Sequence, residues 1–346
     1  MDFSIAAFLV QDGLISGAVY ALLGVAIVLV FSVTRVIFVP QGEFVAFSAL
    51  TMAALQAGKT PGTLWLLLMA SAVACMLELV GSFKTGDKSR AVRALLVYAV
   101  APAALAAVML WVLPPQLPML VQALIALLLV VPLGPLLYRI VYQPVAHGSV
   151  LVLLIISVAL HLALTSFGLL VFGAEGSRTP TFSDERWQVG PLSITGQSVW
   201  VIGASVVAIA LLAWFFTYTF RGKALKATSV NRVGAELMAI SPTGAGSLAF
   251  TLAAAIGGLS GLLIGPINTM FYDTGFMIGL KGFVAAIVGG LVSYPLAALG
   301  ALLVGLLESF SSFWASSYKE FAVFTLILPV LLWRSLRTHQ IEEDEE

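Results

Sequence analysis

The sequence predicts an all-α, polytopic helical membrane protein that makes about 10–11 membrane passes, some of them re-entrant. Three observations carry this. The 346 residues are 60% hydrophobic and only 10% charged, whereas soluble domains carry about 25% charged residues. Mean hydropathy is +1.05. The apolar runs are also continuous over about twenty residues, the length a helix needs to cross a bilayer, and do not alternate as barrel strands do.

Composition also narrows the functional classes. The formal net charge is zero, which argues against a nucleic-acid partner. Cys75 is the one cysteine, so disulfides and thiolate clusters within the chain are excluded. His147, His161 and His339 are too far apart in sequence for a metal-ligand spacing, and no metal site is expected. No nucleophile, histidine and acid fall at a catalytic spacing, so no catalytic residue is assigned and an intramembrane enzyme is disfavoured. Gly58-Lys-Thr60 resembles the end of a phosphate loop, but Ala53 stands where that motif requires glycine.

Residues 1–346 read as one transmembrane domain. The first span covers 12–33 and carries Gly13 and Gly17 four residues apart, a spacing that allows close helix packing. An acid near the N-terminus argues for a retained span and against a signal peptide. The break Phe38-Val-Pro-Gln-Gly-Glu-Phe44 leads into a second span, 44–57, and a third covers 63–80. A basic loop, 84–93, precedes spans at 94–112 and 119–138, and 150–172 comes next. The segment 173–197 is the longest non-membrane stretch and has too little apolar material for a domain of its own. Further spans fall at 198–219, 244–267, 276–292, 296–315 and 320–334, before an acidic tail at 338–346.

Between the spans 198–219 and 244–267 lies the polar segment 221–242. Within it Ala224, Leu225, Ala227, Val230, Val233, Leu237 and Ile240 recur at three- and four-residue steps, which predicts a short helix with one apolar stripe. It is either a topology-setting basic loop or a docking helix. Placing it inside puts twelve of the seventeen basic residues inside: Arg35, Lys84, Lys88, Arg90, Arg93, Arg139, Arg221, Lys223, Lys226, Arg232, Arg334 and Arg337. By the positive-inside rule the N-terminus is then outside and the C-terminus inside.

A charge in a span is a functional candidate by default. Lys281 is the clearest, either snorkelling to the interface or serving a function; Glu43 is either an interfacial helix-start acid or functional. Glu308 and His161 read as packed, hydrogen-bonded residues, and Glu78 as an ion partner of the basic loop. Gly257, Gly261 and Gly265 mark a close-packing face, and Gly289, Gly290 and Gly300 punctuate the next apolar segment. Such interruptions either line a protein-enclosed cavity or simply pack.

These residues resemble the branched-chain amino acid ABC transporter permeases of the LivH type. The resemblance rests on Val19-Tyr-Ala-Leu-Leu-Gly24 with Gln41-Gly-Glu-Phe44, on Gly222–Thr228 through Ala235–Ile240, and on Gly279-Leu-Lys-Gly-Phe-Val-Ala-Ala-Ile-Val-Gly-Gly290. It implies a bacterial inner-membrane importer subunit, with a homologous second permease, two cytoplasmic ATPases that use ATP, a periplasmic solute-binding protein and membrane lipid as partners. The chain itself would bind no cofactor. On this resemblance the solute pathway is expected at Gln41, Gly42, Glu43, Phe44, Gly279, Lys281, Gly282, Gly289 and Gly290, with Lys281 facing a substrate carboxylate, packing, or binding lipid. ATPase coupling is expected at Gly222, Lys223, Leu225, Lys226, Ala227, Asn231, Ala235, Glu236, Leu237, Met238 and Ile240. Urea or short amides are the alternative solutes, and a stand-alone secondary transporter or channel is the alternative class. Phe38 departs from the family's usual Asn, and 81–118 looks like a two-span insertion.

Overall fold

Most helices arise from the apolar runs, but some of them stop too short to cross a bilayer alone. The computed structural model describes residues 3–86, 88–112, 117–190, 192–332 and 336. In chain order the helices are α1 (Phe3–Thr34), α2 (Gln41–Gln56), α3 (Gly62–Thr85), α4 (Lys88–Leu95), α5 (Ala101–Val112), α6 (Met119–Val130), α7 (Leu133–Leu137) and α8 (Val150–Phe172). Strands β1 (Arg186–Val189) and β2 (Leu192–Thr195) come next, then α9 (Gly196–Tyr218), α10 (Phe220–Val230) and α11 (Arg232–Leu237). The chain continues with α12 (Pro242–Ile264), α13 (Thr274–Val288), α14 (Tyr294–Trp314) and α15 (Lys319–Thr325).

Eight helical stretches among the described residues are long and apolar enough to cross a membrane. The polytopic helical fold is therefore as expected, but three of the eleven anticipated passes are not full spans. Helix α2 has 16 residues, α13 has 15 and α15 has 7. At 1.5 Å per residue, α2 and α13 reach only ~22–24 Å, short of a hydrocarbon core ~30 Å thick.

Helix α1 begins at Phe3, nine residues before the expected start at 12, because apolar residues continue back to Phe3. The expected basic loop 84–93 is mostly helical: α3 continues to Thr85 and α4 starts at Lys88. Residues 81–118 hold one membrane-length stretch, Ala91–Leu110, not two; the next begins at Met119, beyond the segment. Helical structure also runs past the expected end at 138, through a π-helical turn at Tyr138–Tyr142 and a 3-10 turn at Gln143–Val145. The all-α expectation needs one amendment, an antiparallel hairpin that pairs Arg186 with Thr195 and Val189 with Leu192.

That hairpin belongs to a cover over the end of α12. Arg178 Nε donates to the Pro266 carbonyl at 2.8 Å, and Gln197 Nε2 donates to the Leu263 carbonyl at 2.9 Å. The carbonyls left free at a helix C-terminus are thus satisfied by protein. The tail 338–346 and the basic residues Arg334 and Arg337 lie outside the described residues.

Glycines set the distances between the central helices. A methyl group on Gly13 would sit 2.8 Å from the Leu306 Cα, and one on Gly17 would sit 3.0 Å from the Leu302 Cα, so α1 and α14 cross almost backbone to backbone. Along α12, Gly257 faces Gln41 and Phe44, Gly261 faces the Val45 backbone, and Gly265 faces Ala49 and Thr179. The expected packing stripe therefore holds α2. Filling Gly261 should be costly: Gly261→Leu is expected to lower the melting temperature in detergent and the folded yield, since overpacking costs about 1–3 kcal/mol. Gly203→Ala, where an added Cβ meets open space, should leave the melting temperature within error of the parent.

Candidate functional site

The strained residue Arg35, with φ 61°, ends α1 and turns the chain back. Residues 35–40 return alongside the helices, with Val36 and Phe38 buried. Helix α2 consequently starts at the level of the middle of α12, where Gln41 Nε2 donates to the Ala253 carbonyl at 2.9 Å. Helix α13 starts beside it: Gly275 and Gly279 both lie against Gly42, so the first turns of two short helices meet with no side chain between them.

Phe38 is the centre of an aromatic cluster, with ring centroids 4.8 Å from Phe250, 5.7 Å from Phe44 and 5.9 Å from Tyr142. An asparagine here would place an amide among rings, so the departure at this position has a packing consequence. Phe44 is 1% exposed and belongs to this cluster.

Glu43 is fully buried and is no interfacial acid. Its Oε1 lies 2.7 Å from His161 Nδ1 on α8, and the His161 ring stacks on Phe276 of α13 at 4.1 Å. The second oxygen, Oε2, is buried without a hydrogen-bond partner among the described residues, and the Thr165 hydroxyl lies beside the carboxylate and 3.4 Å from His161 Nδ1. His161 is thus a packed, hydrogen-bonded residue as expected, but its partner is the other candidate charge.

Lys281 neither snorkels nor faces a free pathway. Its Nζ lies 2.5 Å from Glu308 Oε1, while Tyr20 donates to Glu308 Oε2 at 2.6 Å. The ammonium also sits 5.7 Å from the centre of the Tyr20 ring. One carboxylate joins α1, α13 and α14. Glu78 pairs with Arg139, whose Nη1 also donates to Gln143 at 2.6 Å.

Of the nine expected pathway residues, the structure brings Gln41, Gly42, Glu43, Phe44 and Gly279 together at the start of α2. Gly282 packs on Leu23 one turn further along α13. Gly289 and Gly290 are elsewhere: Gly290, at φ 68°, makes the reversal between α13 and α14, and Gly289 packs on Ala297. Asp273, Phe276 and Thr165 complete the neighbourhood of Glu43, and no motif in the sequence marks them. Their only sequence signal is closeness to a glycine-rich run or to His161.

The segment 221–242 forms two helices, not one. Asn231 is extended at φ −147° and ψ 103°, and its side chain caps α11 by accepting from Gly234 N at 2.9 Å. The expected stripe is split accordingly. Leu225 is buried with Leu29, Val33, Ala245 and Ala249, and Ala235 is buried as well. Val230, Val233, Leu237 and Met238 turn outward, with Leu237 83% exposed. Of the expected coupling residues, Gly222 packs on Phe215 and Phe216, and Ile240 is half-buried. Lys223, Lys226, Ala227, Asn231 and Glu236 are exposed.

A family model described as branched-chain amino acid transport system / permease component matches residues 93–332. The high-affinity branched-chain amino acid transport system permease protein LivH of Escherichia coli K12 is 30% identical over 203 residues, covering 56% of this chain and 65% of that protein. LivH of Salmonella typhimurium LT2 gives the same identity and coverage. The permease protein BraD of Pseudomonas aeruginosa is 27% identical over 203 residues, covering 57% of this chain and 66% of that protein. The match therefore spans just under two thirds of these relatives' length. No solved structure matches the chain.

The largely buried Lys281–Glu308 pair makes a stability prediction. Removing one charge strands the other, so Lys281→Met or Glu308→Leu alone should cost about 3–5 kcal/mol. The double variant should recover much of that loss, as read by thermal melting of the purified chain.

Proposed function

The chain belongs to the branched-chain amino acid transport system permease family, and from that we propose that it is the membrane-spanning subunit of an ATP-driven importer. It works in the bacterial inner membrane with a second permease, two cytoplasmic ATPases and a periplasmic solute-binding protein. The solute is a branched-chain or related small amino acid, carried inward by alternating access.

The observation that carries this reading is the α10–α11 pair. Val230, Val233, Leu237 and Met238 expose apolar surface between Lys223, Lys226 and Arg232. A patch of that kind on a soluble-facing segment marks a partner site. Leu225 fixes the pair to α1 and α12, and Arg232 Nη1 donates to the Ala146 carbonyl at 3.2 Å. A push on the exposed apolar residues is therefore transmitted to membrane helices rather than absorbed by a loose loop. This end also carries Arg35 and Arg139, which supports placing it in the cytoplasm.

Within the membrane, the meeting point of α2 and α13 is the natural place for movement. Two helix starts separated only by glycine backbone can part without unlocking interdigitated side chains. The Tyr20–Glu308–Lys281 group holds α13 to α1 and α14 on its other side.

Leu237→Glu places a carboxylate in the docking patch. It should reduce ATPase co-purification at least about tenfold, as a lost interface anchor of ~1.4 kcal/mol or more would, while leaving the melting temperature of the permease unchanged. Intact association would refute the docking assignment. Orientation is tested with single cysteines in a Cys75→Ala background. A membrane-impermeant maleimide should label Glu175→Cys in intact spheroplasts and Glu236→Cys only after permeabilisation; the reverse pattern would invert the topology.

A further inference from the structure

We infer that Glu43 is the residue that receives the ammonium group of the solute, at the junction of α2 and α13. The inference rests on the importer reading for its biological sense and on the geometry around this carboxylate for its chemistry.

Glu43 has one oxygen committed to His161 and one buried oxygen, Oε2, with no hydrogen-bond partner among the described residues. A carboxylate oxygen left without a donor at membrane depth is costly, and such residues are retained where function needs them. The missing partner must be a donor, and a cationic donor gains most from a carboxylate. Among solutes small enough for this place, a primary ammonium fits both demands.

The surroundings suit the rest of an amino acid. Helices α2 and α13 both begin here, and neither has a side-chain cap on its N-terminus. Two helix N-termini present positive dipole ends, which attract a carboxylate. Opposite charges on the solute would therefore be met by opposite partial charges on the protein, a few ångströms apart. The apolar walls, Phe47 on α2 and Phe276 on α13, offer no polar group to a branched aliphatic side chain. Asp273, exposed just before α13, adds a second carboxylate at the rim.

The junction is closed in this structure, with Gly42 packed directly on Gly275. Glycine backbone meets glycine backbone there, so withdrawing the start of α13 loosens the packing next to Glu43. His161 holds the carboxylate in place through Oε1 and leaves the other oxygen to the solute.

Two measurements test this separately from the importer reading. In the first, the purified full chain carries 15N-labelled histidine and is titrated with isoamylamine, an ammonium with a branched tail. The His161 ring resonance should shift in the wild type and in Glu43→Asp, and should not shift in Glu43→Gln. No shift in the wild type, or the same shift in Glu43→Gln, overturns the assignment. In the second, the assembled importer in proteoliposomes takes up leucine and, separately, 4-methylpentanoate, which lacks the ammonium. Glu43→Gln should reduce leucine uptake about tenfold or more, as loss of a charged hydrogen bond does, and should reduce 4-methylpentanoate uptake far less. Equal loss of both solutes would make Glu43 a structural residue and end the proposal. A wild-type complex that moves neither solute while isoamylamine still shifts His161 would sink the importer reading and leave the ammonium site standing.

Discussion

A helix that begins inside a bilayer must have its first amides and any nearby charge covered by protein, because no water is there to do it. Helices α2 and α13 are both of this kind, and the architecture around them answers that demand. The chain returns from Arg35 through 35–40 under a cover of aromatic rings from Phe38, Phe44, Tyr142 and Phe250. Gln41 commits its side-chain amide to the Ala253 carbonyl of α12. Long helices α1, α8 and α12 wall the short pair off from lipid, and the glycines of α12 allow α2 to come close enough for that wall to be tight.

Charge placement obeys the same constraint. Each of these acids in the central helices meets its partner on a different helix: Glu43 with His161, Glu308 with Lys281. These bonds work as position markers more than as a source of net stability, since burying an ion pair costs nearly what the attraction returns. Glu308 differs from Glu43 in one respect that separates their roles. Both oxygens of Glu308 are taken, by Lys281 and Tyr20, whereas Glu43 retains one. A satisfied carboxylate ties helices together; a half-satisfied one is available for chemistry.

At the basic end, α10 and α11 divide an apolar stripe between two jobs. Leu225 and Ala235 attach the pair to the bundle, and the residues offset from them on each short helix are left for a partner. The division depends on the break at Asn231, which rotates the second helix relative to the first.

Helix class, the membrane environment, and the packing faces of Gly13, Gly17, Gly257, Gly261 and Gly265 were all legible in the sequence, because each is a local pattern imposed by the solvent around one helix. The cap residue Asn231 was legible as a residue and not as a break, since the apolar period runs straight through it. Tertiary structure alone decided that Lys281 is neutralised by Glu308, that Glu43 meets His161 across 118 residues, and that Gly289 and Gly290 belong to a turn. It also decided that α2 and α13 start inside the bundle and start against each other. The physical reason is the same in every case. Hydropathy reports what each segment needs from its surroundings, while the identity of the neighbour that supplies it depends on the path of the whole chain.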